Sequence, residues 1–427
     1  MTVHGKAMQE LAERLIAALR EAGMSGVPER LSVAACHQEI HPETLVGIDA
    51  LIGIFDRVTS RPDWSRAALA NVPEIARHQG TEMCFFSAWD FHLQTGHPEG
   101  SQLIEFNDNG SGFLFGALVN STFYEVGGIS ARDAVEPPPP FAALAEHLAA
   151  MVEREAREFF GELPQGLFLI LDDAEALERG RFHDELVLLR SLLEHRGLES
   201  AIAPPEELRG DGTRLLMAGR AVSFVVNRST DFFWQGEAFG PLRAAWQARA
   251  VYAAPNPFTY ATRSDKRLLE LLSQSDRDEE LGILPEERAV LAAHVPETWV
   301  VREDNLDALV RRKHELVFKP AQGFAARGLL PSSQVGRSRL RRLLGKGDEY
   351  VAQRSVPKRL LPTNDMDHPA LWTDLRVWAY RGKRFLLSGR ASLRPDGIDL
   401  RPPGGWLATY ASRTVARGGR SGSRAGR

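Results

Sequence analysis

The chain has 427 residues, enough for about three domains at roughly 150 residues each, and its 43% hydrophobic and 25% charged residues exclude a fibrous or disordered class. With 52 Lys and Arg against 56 Asp and Glu the net charge is -4, so the overall balance gives no general pull toward nucleic acid or an anionic membrane surface. Two cysteines, Cys36 and Cys84, indicate neither a disulfide framework nor a cysteine zinc site, and a reducing cytoplasm is the expected compartment.

The opening stretch MTVHGKAMQELAERLIAALREAG carries Leu11, Leu15, Ile16 and Leu19 at helical spacing with charges throughout, which predicts an amphipathic helix and not a signal peptide. No window approaches 18 uninterrupted apolar residues, so no membrane span is expected. CFFSAWDFHL and QLIEFNDNG then read as a strand pair. Alternation puts Glu105 and Asn107 on one face of the second strand and Ile104 and Phe106 on the other. Asp90 ends the preceding strand, and antiparallel pairing across QTGHPEGSQ would set it beside them. Three oxygen donors make an incomplete shell for magnesium, which leaves its other positions to water and nucleotide phosphates. The alternative is the solvated face of an edge strand.

The clearest boundary is VEPPPPF at 135–141, because consecutive prolines stop both helix and central strand. Beyond it FAALAEHLAAMVEREAREFFGEL has helical periodicity, GLFLILDD is a buried strand, FHDELVLLRSLLEHRG is a helix closed by Gly197, and LESAIAP is a second strand. This is a βαβ unit. LLMAGRAVSFVVNRSTDFF adds a hairpin turning at Gly219, giving a Rossmann-like lobe at about 141–255 that lacks G-x-G-x-x-G and so shows no dinucleotide signature.

From residue 256 onward the chain carries four stretches with chemistry. Lys266 in SDKRLLELL is placed in the first turn of a helix, where a cation opposes the helix dipole. In LVFKPAQGFAARG an apolar strand ends at Lys319, and Gly323 and Gly328 bracket a loop whose N–H groups can lie against phosphate oxygens. DEYVAQRSVP gives a strand ending at Gln353 and passing through Val356, with edge backbone groups that suit an adenine ring. TDLRVWAYRGKRFLLSGRASL is a hairpin turning at Arg381-Gly382, with Asp374, Arg376 and Arg390 near the strand ends, where arginines can converge on a carboxylate or phosphate. Singly, each stretch has a plain reading: a surface lysine, an ordinary hairpin, a strand stopped by proline, or solvated arginines. The tail RTVARGGRSGSRAGR is low-complexity and expected to be disordered.

In combination these stretches resemble the ATP-grasp superfamily of carboxylate–amine and carboxylate–thiol ligases, with the order changed. SDKR, FKPAQGFAARG, YVAQRSV and DLRVWAYRGKRFLLSGR follow the family's order, whereas WDFHL and LIEFNDN, its closing metal strands, lie near the N-terminus. The chain is therefore similar to a circularly permuted ATP-grasp protein, in layout like the catalytic part of glutathionylspermidine synthase. The fold this implies is α/β (α+β), with residues 1–136 supplying a helical region and the permuted metal strands. A Rossmann-like pre-ATP-grasp lobe at 141–255, nucleotide-binding lobes at 256–412 and a disordered tail at 413–427 would follow.

The resemblance implies magnesium ligation by Asp90, Glu105 and Asn107, phosphate contacts from Lys266 and Lys319, and a loop from Gly323 to Gly328 over the phosphates. It further implies adenine bordered by Gln353 to Val356, and Arg376 and Arg390 on the transferred phosphoryl group. ATP and Mg2+ would serve ligation of a small-molecule or peptide carboxylate to an amine through an acyl phosphate. A phosphotransferase or a non-catalytic scaffold on the same fold are the alternatives. Two departures stand out: Ala325 and Ala326 occupy loop positions where glycine is common, and no acidic ribose ligand adjoins Gln353. His37, His41, His92 and His183 are read as structural or surface residues.

Overall fold

The computed structural model describes residues 3–23, 32–78, 87–94, 100–126, 134–323, 328–363, 367–395, 397 and 399–412. The chain starts a large sheet, leaves it to build two smaller ones, and returns to complete it. β1 (Val33–Ile40), β2 (Ser87–Leu93) and β3 (Ser101–Asn107) come first. A second sheet holds β4 (Leu167–Leu171), β5 (Ser200–Ala203), β6 (Leu208–Gly210), β7 (Leu215–Met217), β8 (Arg220–Asn227) and β9 (Tyr252–Ala254). The third comprises β10 (Thr298–Val300), β11 (Leu316–Pro320) and β12 (Tyr350–Arg354). Finally β13 (Arg359–Pro362), β14 (Ala370–Tyr380), β15 (Lys383–Ser392) and β16 (Gly405–Ala411) rejoin the first sheet, whose order is β1-β16-β15-β14-β2-β3 with β13 also paired to β14.

Side-chain alternation in the large sheet feeds two cores. From β14, Leu375, Val377 and Ala379 join Trp89, Phe91, Leu103 and Phe106 against the helix Pro42–Thr59. Trp378 and Tyr380 join Ala88 and Trp406 on the other face, against the helices Phe113–Val126 and Phe141–Phe160. Period two therefore puts Asp374 and Arg376 on the Trp378 face and Asp90 on the Ala88 face, the same side of the sheet. Helix Pro42–Thr59 begins where the His41 side chain accepts from the Glu43 amide, with proline in the first turn, and Phe141–Phe160 ends at Gly161 in the left-handed region.

The second sheet carries the expected βαβ unit. β4 and β5 run parallel with the helix His183–His195 between them, and β4 also pairs parallel with β8, which pairs parallel with β9. The hairpin from β7 to β8 turns through Ala218 and Gly219, both with positive φ. Phe168 and Phe224 of this sheet share one core with Leu148 beyond the proline run and with Leu15 and Leu19 of the helix Val3–Glu21. The proline run at 135–141 is thus a spacer along the chain and not a gap in the packing.

Two local expectations change. β12 lies between β10 and β11, and Gln353 pairs with Thr298 on one side and Val317 on the other, so it is a central and not an edge residue. Lys266 precedes the helix Leu268–Ser273, after a π-helical turn at Tyr260–Ser264, and so lies outside the first turn. Cys84, Ala325, Ala326 and the tail fall outside the described residues. Among the described residues no helix is long and apolar enough to cross a membrane.

Candidate active site

Strand register assembles the charges. Asp90 is the cross-strand partner of Glu105 on one side and of Arg376 on the other, and Arg390 is opposite Asp374 one strand further along. Arg376 grips Asp90 through Nε at 2.6 Å and Nη2 at 2.7 Å, while its Nη1 donates to the Ser111 carbonyl at 3.1 Å. Arg390 donates twice to Asp374 at 2.9 Å and lies 3.1 Å from Asp90. Burial by itself would raise the Asp90 pKa, but the guanidiniums of Arg376 and Arg390 outweigh it and hold the carboxyl well below the usual range.

The two lysines come from the later part of the chain. Lys266 Nζ lies 3.1 Å from Glu105 Oε1 and donates to the Gly323 carbonyl at 2.5 Å. Lys319 Nζ donates to the Ile104 carbonyl at 3.1 Å and to Gln353 Oε1 at 2.7 Å. Burial pushes the Lys319 pKa down to about 8, against the pull of Glu105 and with help from the neighbouring Lys266 charge. At Gly328 φ is +75° and a Cβ would stand 2.6 Å from Pro320 Cγ, so this position, packed back against the end of β11, suits only glycine without strain.

Of the predicted site, residues 324–327 of the loop lie outside the described residues, and most of the others gather around β2, β3 and β11. Asn107 pairs with Ala88 at the end of β3, on the Glu105 face. Gln353 contributes its side chain to Lys319. Val356 contributes its carbonyl to His92 Nδ1, at 2.6 Å. His92, read as structural or surface, lies buried among Asp374, Lys358 and Lys319, and burial pushes its pKa down to about 4, leaving a neutral ring. An unforeseen group is Arg267, which holds Asp265 at 2.6 Å and Glu349 at 2.8 Å and so braces the segment bearing Lys266. Cys36 stays a thiol, since burial lifts its pKa to about 11.

The donor chemistry fits magnesium. Asp90, Glu105 and Asn107 are hard oxygen donors on paired strands, and among the described residues no group of three or more His, Cys, Asp or Glu forms a protein-only cage. Magnesium, which keeps waters and phosphate oxygens, needs only such a partial set. Both carboxylates are neutralised by Arg376, Arg390 and Lys266 in this structure, so an ion would share them with those cations. Beside Gly323 lies a hollow of about 230 Å³ walled by Thr230, Asp231, Phe232, Phe233 and Gln322.

Neither a protein-family model nor a curated protein matches this chain. Among solved structures it is similar to a glutathione synthetase-like effector (GSS30) from Globodera pallida, with a TM-score of 0.59 and 11% identity over 94% of this chain and 97% of that one. This chain shares that fold. Weaker likenesses are to a putative gamma-glutamylcysteine synthetase from Methylobacillus flagellatus (TM-score 0.45, 12% identity, 86% and 87% covered) and to the ATP-grasp ligase PsnB (TM-score 0.28, 14% identity, 56% and 89% covered). The mixed α/β architecture expected from the sequence is present, in three separate sheets.

Proposed function

We propose that the protein is an ATP-dependent carboxylate–amine ligase built on a circularly permuted ATP-grasp fold. One observation carries the reading: Lys319 donates to the carbonyl of Ile104, and Lys266 pairs with the adjacent Glu105, so the presumed phosphate lysines and metal strand meet although more than 150 residues separate them. Permutation accounts for the topology, with β2 and β3, encoded early, extending the sheet edge of the late strand β14. Such rearrangement is tolerated when original chain ends lie close together.

In this reading a substrate carboxylate oxygen attacks the γ-phosphorus of ATP, forming an acyl phosphate and releasing ADP. An amine then attacks the acyl carbon, phosphate leaves, and an amide remains. Lys266 and Lys319 would exchange their present partners for phosphate oxygens, and Arg376 and Arg390, already converged on Asp90, would stabilise charge on the transferred group. Asp90, Glu105 and Asn107 would hold magnesium, which neutralises phosphate charge when bound. No protein nucleophile is required. Purified protein given Mg-ATP with mixed carboxylates and amines should release ADP and phosphate in step with amide. ADP with a phosphorylated end product would instead favour a phosphotransferase, and nucleotide binding without turnover a scaffold.

A further inference from the structure

Two hollows at the edge of the second sheet share a wall. The outer one, of about 230 Å³, reaches from residues 230–235 to Gln322 and Gly323. The inner one, of about 10 Å³, is walled by Asp108, Asn109, Asn227, Ser229 and Asn256. Phe232 lines both. Its ring lies parallel to buried Tyr260 at 4.3 Å and 2°, a stack that fixes it between the two spaces. The outer hollow is smaller than the roughly 300–1,000 Å³ of sites for drug-sized ligands, which suits a small molecule or one end of a longer one. The inner one has room for about one water.

The chemistry of the outer hollow favours a cation. Asp231 is the charged side chain in its lining, and the aromatic side chains of Phe232 and Phe233 line it beside that carboxylate. Behind Phe232, Asp108 and Asn109 belong to the turn that follows β3, so the inner hollow adjoins the end of that strand.

We propose that Phe232 is the specificity-determining residue for the amine acceptor: it floors the outer hollow, closes off the inner one, and thereby limits acceptor length. Only the word acceptor rests on the ligase reading; the length limit itself is a binding property. Unbranched primary alkylamines from ethylamine to hexylamine, titrated calorimetrically into the whole protein, test it without turnover. For the wild type, affinity should climb with length and then stop climbing where the chain meets the ring. In Phe232→Ala the limit should move outward by about two carbons, with the longest amines binding about fifteenfold tighter than to wild type, since each buried methylene contributes roughly fourfold. Phe232→Leu, which keeps a bulky apolar side chain against Tyr260, guards against loss of fold and should shift the limit by a smaller step. Asp231→Asn should weaken every amine severalfold with the limit unchanged. The same length limit in all Phe232 variants, or no amine binding to the wild type, overturns the proposal. If ADP release fails while the limit shifts as described, the ligase reading falls and the assignment of Phe232 stands.

Discussion

Asp90 and Asp172 are both buried acids near an arginine, yet they are driven in opposite directions. Asp90, on the large sheet, is held below the usual carboxylate range. Asp172, at the end of β4, is pushed up to about 7 by burial. Hydrogen-bonded countercharge makes the difference. Two guanidiniums reach Asp90 directly. Beside Asp172, Arg228 gives its contact to Glu185 at 3.1 Å, and Glu185 also accepts from the amides of Gly112 and Leu114 at 2.9 Å. Asp173 and Glu185 add repulsion that raises Asp172 further. A buried acid is thus kept charged only where a cation is committed to it. The large-sheet charges are arranged to stay ionised; Asp172, just past the end of the interior strand β4, is not.

The comparison breaks most decisively through catalysis. Glu105→Gln should reduce ADP release by about 1,000-fold with circular dichroism unchanged, because the metal and Lys266 both lose their charged partner. Wild-type turnover in that variant would remove the large sheet from the chemistry. Next in size, Asp90→Ala leaves Arg376 and Arg390 without a shared carboxylate and should cost about 3–5 kcal/mol in urea unfolding. A loss below about 1 kcal/mol would mean that the pairing is incidental.

Asp172→Asn sharpens the contrast in sign. The folded state keeps a proton on Asp172 that the unfolded chain releases, so wild-type stability should fall as pH rises from about 4 toward about 7. The variant should lack that decline and be at least as stable as wild type at pH 8. Asp90 runs the other way, its contribution being present above about pH 4 and lost as pH falls below it. The smallest effect concerns Lys319, whose ammonium form would bind phosphate. ATP affinity by calorimetry should weaken above pH 8, by at most about tenfold per unit, and a flat profile to pH 10 would detach Lys319 from the nucleotide.

Much of the scaffold was legible because its signals are local. Alternation identified β2 and β3 and put Glu105 and Asn107 on one face, and the structure pairs Asp90 with Glu105 across them. Glycines at 197 and 219 and the Arg381-Gly382 pair mark turns that the backbone forms with positive φ. The misplaced details depend on neighbours distant in sequence. An apolar strand reads alike at the edge or in the middle of a sheet, so the central position of β12 was not visible. The groups around His92 were equally out of view, because Val356, Lys358 and Asp374 lie far along the chain.

The faces of β2 and β3, the βαβ unit of β4 and β5, several turns, and the inventory of oxygen donors and lysines were written in the sequence, since periodicity and backbone preference act over a few residues. Tertiary structure alone decided which acid meets which base, that Asp90 stays charged while Asp172 tends to neutrality, and that Phe232 divides two hollows. Those outcomes depend on burial and on partners such as Arg376, 286 positions from Asp90, and only the folded chain brings them within hydrogen-bonding reach.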